Sequence, residues 1–433
     1  MPASPSPPVR GGPDACPGAL ALHQAADGHL ARIRCPGGLL TAGQLTVLTA
    51  AARDLGDGRL ELTSRANVQI RGVTVAAAEA LAGRLSTAGL LPAPGHDRAR
   101  NILGSPLAGV DSVPGWDVAA QVRALDAAIC GQPQLTRLSG RFLFAVDDGR
   151  GDTVSARPDV GLLPGTDGLV VVLLAGVDHG LRTGHRDAVR VAVAVARTFV
   201  ADQRAVDGTI WRIGDLTAAE VARVVARVAT EPGVHRVPAA DRRPLPRQVP
   251  VPPVGVLRRP DGDHALVLAV PLGRLTAEQA DLLAAASPQL RITPWRAVVL
   301  PTVTDAADWA DRLRTAGLVT DPGSPWLGVT ACAGRPGCLR SRADVRADAT
   351  AVHGHRFGVD AAAVHGHRSD LAHVGLPVHW IGCERGCGTP AGQVVRVLAT
   401  GDGYRVSATG RSTVHVPPGA ALAVAVRTAR EES

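Results

Sequence analysis

Two stretches of the chain share one pattern of apolar and polar positions. In DGHLARIRCPGGLLTAGQL, from Asp27, a strand-like run meets a Pro-Gly turn, and Thr41 then opens a stretch with helical spacing. GDHALVLAVPLGRLTAEQA, from Gly262, repeats this at constant spacing, setting His29 against His264, Pro36 against Pro271, Gly38 against Gly273, Thr41 against Thr276 and Gln44 against Gln279. After a short deletion the match resumes, with LELTSRANVQI from Leu60 against LRITPWRAVVL from Leu290. Each copy therefore predicts a strand, a tight turn, a threonine-capped helix and a second strand. Both strands are expected in one sheet with the helix covering it.

Between the copies, LVVVLLAGV (169–177) predicts a buried strand, and AVRVAVAVARTFVA (188–201) and TAAEVARVVARVA (217–229) predict helices. The proline-rich segment 237–255 has no periodicity and predicts an extended linker. The expected organisation is a disordered tail (1–15), a small unit (16–92), a larger α/β unit (93–236), the linker, a second small unit (256–320) and a second α/β unit (321–433). At 433 residues the chain is too long for a single core. This is a molecule of two related halves.

Composition narrows the classes of function. Forty-five per cent apolar and 20% charged residues describe a globular protein, with no apolar run long enough to span a membrane and no signal-peptide order at the start. Cytoplasmic localisation is the expectation. The net charge is +7, and all 46 basic residues are arginine. Arginine forks bind carboxylates in bidentate fashion, so an anionic partner fits. Nucleic acid does not, because aromatic residues are 3% of the chain and no compact arginine run appears.

The seven cysteines divide into two groups. Cys16, Cys35 and Cys130 are scattered and read as small buried residues. Cys332 and Cys338 stand in TACAGRPGCLRS, and Cys383 and Cys387 in HWIGCERGCGTP. Two short glycine-rich loops can bring four thiolates and several backbone N–H groups to one side of a [4Fe–4S] cluster. Tetrahedral zinc is the competing reading, although zinc sites more often use two-residue spacing.

A Cys-x5-Cys pair followed by Cys-x3-Cys on a duplicated chain resembles the nitrite/sulfite reductase family, whose members carry sirohaem and a [4Fe–4S] cluster. LTSRANVQIRGV (62–73) is similar to the family's Thr-x-Arg-x-Asn-x-Gln strand. RNILGSPLAGVD (100–111) resembles the segment opening its first large unit, and LSGRFLFAVDDG (138–149) its Lys-Phe-Lys stretch. The resemblance implies an α+β fold with two ferredoxin-like half-domains and two larger α/β units about a pseudo-twofold axis. DACPGALALHQAADG, TPWR (293–296) and HWIGCERGCG further resemble a branch of the family that works on a cobalamin precursor with molecular oxygen.

That resemblance implies precorrin-3A and O2 as substrates, the cluster on Cys332, Cys338, Cys383 and Cys387, and an additional non-haem iron. Electrons would come ultimately from NAD(P)H, with an electron-donor protein as a possible intermediary. Arg65, Asn67, Gln69, Arg71, Arg100, Arg141 and Arg296 are the expected substrate-binding residues, with Arg65 placed mid-strand and Asn67 and Gln69 on its face. Where the reductases flank a phenylalanine with two basic residues that contact the oxyanion, this chain has Arg141 and Leu143. Sirohaem-dependent nitrite or sulfite reduction remains the alternative enzyme, and an iron–sulfur carrier the non-enzymatic one. A tandem repeat offers His353, His355, His365, His367 and His373, and is expected to be a loop duplication without function. His379 is expected to support the cluster rather than to bind it.

Overall fold

A computed structural model describes residues 14, 16–111, 116–165, 167–242, 245, 253–354, 375–390, 392–408 and 412–431. Each repeated segment builds a sheet under a helix, and each helix begins with a capping box. Thr41 accepts from the Gln44 N–H while Gln44 reaches back to Thr41, and Thr276 and Gln279 do the same. The two glutamines also donate to equivalent carbonyls, Ala88 at 3.1 Å and Ala316 at 2.8 Å.

The half-domains exchange edge strands. Leu39–Thr41, between the turn and the first helix, pairs with Gln289–Ile292 of the second copy. Arg274–Thr276 pairs in turn with Arg59–Leu62 of the first. The sheet orders are thus His23–Ala25, Gly28–Ile33, Val68–Val73, Arg59–Leu62, Arg274–Thr276, and Gly255–Arg258, His264–Ala269, Ala297–Leu300, Gln289–Ile292, Leu39–Thr41. The exchange covers a sheet edge on each side that would otherwise offer unpaired backbone groups. Helices Ala42–Leu55 and Ala277–Ala286 pack together, and one core joins Leu45, Leu48 and Ile70 to Leu268, Leu283 and Leu290.

The larger units share one strand plan. In the first, Ile102–Gly104, Phe144–Val146 and Val160–Pro164 run parallel, followed by antiparallel Leu169–Leu174, Val177–Gly184 and Val234–Arg236. In the second, Val329–Ala331, Val378–Ile381 and Val395–Ala399 are parallel, with Tyr404–Ser407 and Val414–Val416 antiparallel. The expected helices are Ala188–Val200 and Ala218–Val228, and the apolar stripe of the first closes over Phe142, Phe144 and Val172. No helix among the described residues is long and apolar enough to cross a membrane.

Candidate active site

Strand direction gathers the cysteines. Val329–Ala331 and Val378–Ile381 are adjacent and parallel, so their following loops leave the sheet on the same edge. Cys332 comes directly after the first strand and Cys383 shortly after the second. The Gly382 N–H donates to Cys332 Sγ at 3.2 Å, the kind of backbone donor that an iron–sulfur site uses. Gly382 has no room for a side chain there, since a Cβ would stand 2.0 Å from Ser341 Oγ. Burial pushes the Cys387 thiol up and Arg385 pulls it down, while Cys332, Cys383 and Cys338 add to the rise. The other three thiols thus lie within electrostatic reach of Cys387.

His379 fixes the second loop from beneath. Its Nε2 lies 3.0 Å from the Cys387 carbonyl and its Nδ1 2.8 Å from Thr330 Oγ1. A carbonyl only accepts, so Nε2 carries the proton and Nδ1 accepts from the hydroxyl. Burial, together with Arg296 and Arg396, pushes this imidazole down to about 4, so it is neutral at neutral pH.

The first half-domain grips the first cysteine loop with charged hydrogen bonds. Arg71 forks onto Asp27 at 2.8 Å through two nitrogens, and its Nη2 also donates to the Gly337 carbonyl at 2.8 Å. A Cβ on Gly337 would lie 2.9 Å from that nitrogen, so glycine is what lets the fork approach. Arg346 donates to the Cys332 carbonyl at 3.1 Å and pairs with Glu61 at 2.6 Å. Burial opposes ionisation of Glu61, but Arg346, Arg71 and Arg274 together hold it below the usual carboxylate range.

A second constellation lies where the first half-domain meets the first large unit. Arg65 sits in the turn between Arg59–Leu62 and Val68–Val73, not mid-strand as expected. Its Nη1 donates to the carbonyls of Gly140 and Arg141 at 3.3 and 3.2 Å. Burial, with Arg212 and Arg34 nearby, pulls its guanidinium down to about 10, so it stays charged at neutral pH. Arg34 is 1% exposed and donates to the same Gly140 carbonyl at 3.1 Å. Arg32 lies beside it, and burial and Arg34 lower its proton affinity, against the pull of Cys16. Among the described residues no carboxylate lies within ion-pair distance of Arg32, Arg34, Arg65 or Arg141.

The other expected contact residues have other work. Arg71 is engaged by Asp27, and Arg100, 3% exposed, forks onto Asp126 at 2.7 and 2.8 Å and donates to the Leu90 carbonyl. Asn67 is buried and ties the Cys35 N–H to the Asn101 side chain. Gln69 accepts from Arg32 at 2.9 Å and so orients that arginine. Arg141 stacks on Trp211 with its guanidinium carbon 4.8 Å from the ring centre. Arg296 lies away from this group, against Gly388 of the second cysteine loop. Sequence reasoning passed over Arg32 and Arg34, which sit on either side of Ile33 at the end of a strand. Their spacing was the available signal.

Comparison with known proteins places these features. The profile of the nitrite/sulfite reductase ferredoxin-like half domain matches residues 23–88 and 257–314. The solved structure of the Mycobacterium tuberculosis NirA protein superposes with a TM-score of 0.67 at 21% identity, over 89% of this chain and 78% of that one. The chain has the nitrite/sulfite reductase fold. A ferredoxin–nitrite reductase of Synechococcus elongatus is 26% identical over 403 residues, covering 83% of this chain and 74% of the relative. A precorrin-3B synthase of a Sinorhizobium species is 26% identical over 398 residues, covering 90% and 81%. A ferredoxin sulfite reductase of M. tuberculosis is 28% identical over 354 residues, covering 73% and 61%.

Within the nitrite/sulfite reductase fold, the four thiols fit a cubane cluster, on the grounds of the Gly382 donor to Cys332 and the reach of the other three thiols to Cys387. A second metal has no comparable seat among the described residues. Asp147, Asp148 and Asp152 come together, but Asp147 already accepts from Gly149, Gly151 and Thr153, and Arg150 sits on Asp148. His353 is buried between Trp326 and Trp380, and burial and Arg430 push it down to about 4. His355, His365, His367 and His373 lie outside the described residues.

Proposed function

We propose that this protein is an iron–sulfur oxidoreductase of the precorrin-3B synthase type. The reaction would hydroxylate precorrin-3A at C20 with O2 and close a γ-lactone through a ring-A acetate. The observation that carries this reading is the set of buried or half-buried guanidiniums, Arg32, Arg34 and Arg65, that have no carboxylate within ion-pair distance among the described residues, joined by Arg141 at the surface. Burying a cation without a counter-charge is costly, and a ligand bearing several carboxylates offsets that cost. Leu143 adds support. It is 2% exposed and packs in the apolar core, where the reductase pattern has a basic side chain beside the oxyanion. The precorrin-3B synthase relative is also matched along more of its own length than the two reductases described above.

In this reading Arg65, Arg34 and Arg32 hold substrate carboxylates, and Gln69 keeps Arg32 in place. Cys332, Cys338, Cys383 and Cys387 hold the cluster, with His379 fixing the Cys387 loop. The cluster supplies electrons one at a time. A further non-haem iron and an electron-donor protein belong to the proposal, with electrons ultimately from NAD(P)H. Sirohaem-dependent nitrite or sulfite reduction is the second reading, favoured by the reductases among the relatives and by Arg65 in the family's motif position. The optical spectrum of anaerobically purified protein separates the two. A broad violet shoulder alone supports the hydroxylase, and strong Soret and red bands support the reductase.

A further inference from the structure

The two half-domains carry opposite charges at one equivalent position. Residues 60–70 and 290–300 align without a gap, which sets Glu61 of the first copy against Arg291 of the second. Both stand on the strand that receives the other copy's exchanged strand, Glu61 opposite Arg274 and Arg291 opposite Leu39. Each is also tied to the loop that leaves the first parallel strand of a larger unit. Arg291 reaches its loop directly, donating to the Pro106 and Ala108 carbonyls at 2.8 and 2.7 Å, just after Ile102–Gly104. Glu61 cannot do this, because a carboxylate only accepts. Arg346 stands between, pairing with Glu61 at 2.6 Å and donating at 3.1 Å to the carbonyl of Cys332, the residue after Val329–Ala331. Arg274 Nε lies 3.4 Å from the same Glu61 oxygen. An arginine alone fastens such a loop, as Arg291 does. The first copy has instead a buried negative charge, one guanidinium away from a cluster ligand.

We infer that Glu61 is a positioning residue that sets how readily the cluster site takes up an electron, by holding Arg346 on the Cys332 backbone and offsetting its charge. The inference rests on the cluster assignment and is the same for the hydroxylase and the reductase. Reduction brings one electron from a one-electron donor, and so one added negative charge, to the four-thiolate site. The Arg346 guanidinium favours that added charge, and the Glu61 carboxylate disfavours it. Both groups are largely shielded from water, so neither effect is fully screened. The charge and hydrogen bonding around a cluster set its potential, so removing one partner or the other acts in opposite directions.

A redox titration of the intact protein, purified anaerobically with its iron, tests this. The parent is poised with one-electron mediators at the potential where it is half reduced, and each variant is held at that same potential. The EPR signal of the reduced cluster gives the reduced-to-oxidised ratio. Glu61→Gln is expected to raise that ratio about threefold or more, because Arg346 loses its counter-charge, and Arg346→Gln to lower it by a similar factor. Loosened packing alone gives no reason for shifts of opposite sign. Arg346 lies in the first turn of helix Val345–His353, and its variant carries the test if Glu61→Gln does not fold. An unchanged or raised ratio in Arg346→Gln overturns the inference by itself. So does an unchanged or lowered ratio in folded Glu61→Gln. A parent without a reducible cluster signal is a different result, and it removes the cluster assignment together with the inference.

Discussion

The two larger units have the same run of three parallel strands followed by antiparallel ones, yet the loops at equivalent strand ends hold opposite chemistry. In the first unit, Ile102–Gly104 and Phe144–Val146 end in Ser105 and in the Asp147–Asp152 loop. That loop turns its polar groups inward, with Asp147 collecting backbone N–H groups and Ser105 donating to Asp152 Oδ1. In the second unit, Val329–Ala331 and Val378–Ile381 end in loops whose thiols are left for another partner. Adjacent parallel strands bring two loops to one edge in both cases. Whether that edge becomes a site depends on whether the loops have already consumed their own functional groups.

The largest effect expected from this contrast is at the thiols. Replacing Cys332, Cys338, Cys383 or Cys387 with serine should abolish the brown chromophore, because a cluster held on four thiolates loses closure and its loops lose the folding energy coupled to it. Cys35→Ser and Cys130→Ser should keep full iron content. Iron retained in Cys332→Ser but lost in Cys35→Ser would reverse the assignment.

Next is the grip on the cysteine loop. Arg71→Ala removes a charged fork and its bond to the Gly337 carbonyl, at a cost of about 1.5–3 kcal/mol. Faster iron release to a chelator is expected, with Arg71→Lys intermediate. An unaltered release rate would make Arg71 a fastening for Asp27 alone. Arg65→Ala should leave folding and iron unchanged while weakening a polycarboxylate porphyrin about ten- to a hundredfold. Unaltered affinity would remove Arg65 from the proposed binding residues.

The smallest effect tests the closed loop of the first unit. Burial, with Asp147 beside it, raises Asp152 to about 7, although Ser105 works against this. A carboxyl whose folded value exceeds its unfolded value of about 3.9 contributes stability at low pH that is lost as pH rises towards 7. Asp152→Asn keeps the acceptor for Ser105 and cannot ionise, so its stability should fall less between pH 4 and 7. Parallel pH curves for variant and parent would contradict the inward-facing account.

Much of this was legible in the residues. The duplication, the two long helices and the four clustered cysteines each rest on local spacing, and local spacing survives folding. The exchanged strands Leu39–Thr41 and Arg274–Thr276 were not legible, because three residues carry no periodicity and their partners lie in the other copy. Arg71 and Arg100 were expected to bind substrate for a related reason. Their neutralising partners, Asp27 and Asp126, are distant in sequence, and a fork already filled looks the same on paper as a free one. Arg32 and Arg34 sit within and just beyond an ordinary-looking strand, and what sets them apart in space is that no carboxylate among the described residues reaches ion-pair distance of either.

The central claim is that this fold hydroxylates a tetrapyrrole rather than reducing an oxyanion. Anaerobically purified protein, given precorrin-3A, a reductant and isotopically labelled O2, tests it directly by mass spectrometry of the product. The account predicts one labelled oxygen in a lactone-bearing product and no turnover of nitrite or sulfite with the same reductant. Unlabelled, unchanged precorrin-3A alongside reduction of nitrite or sulfite would contradict it.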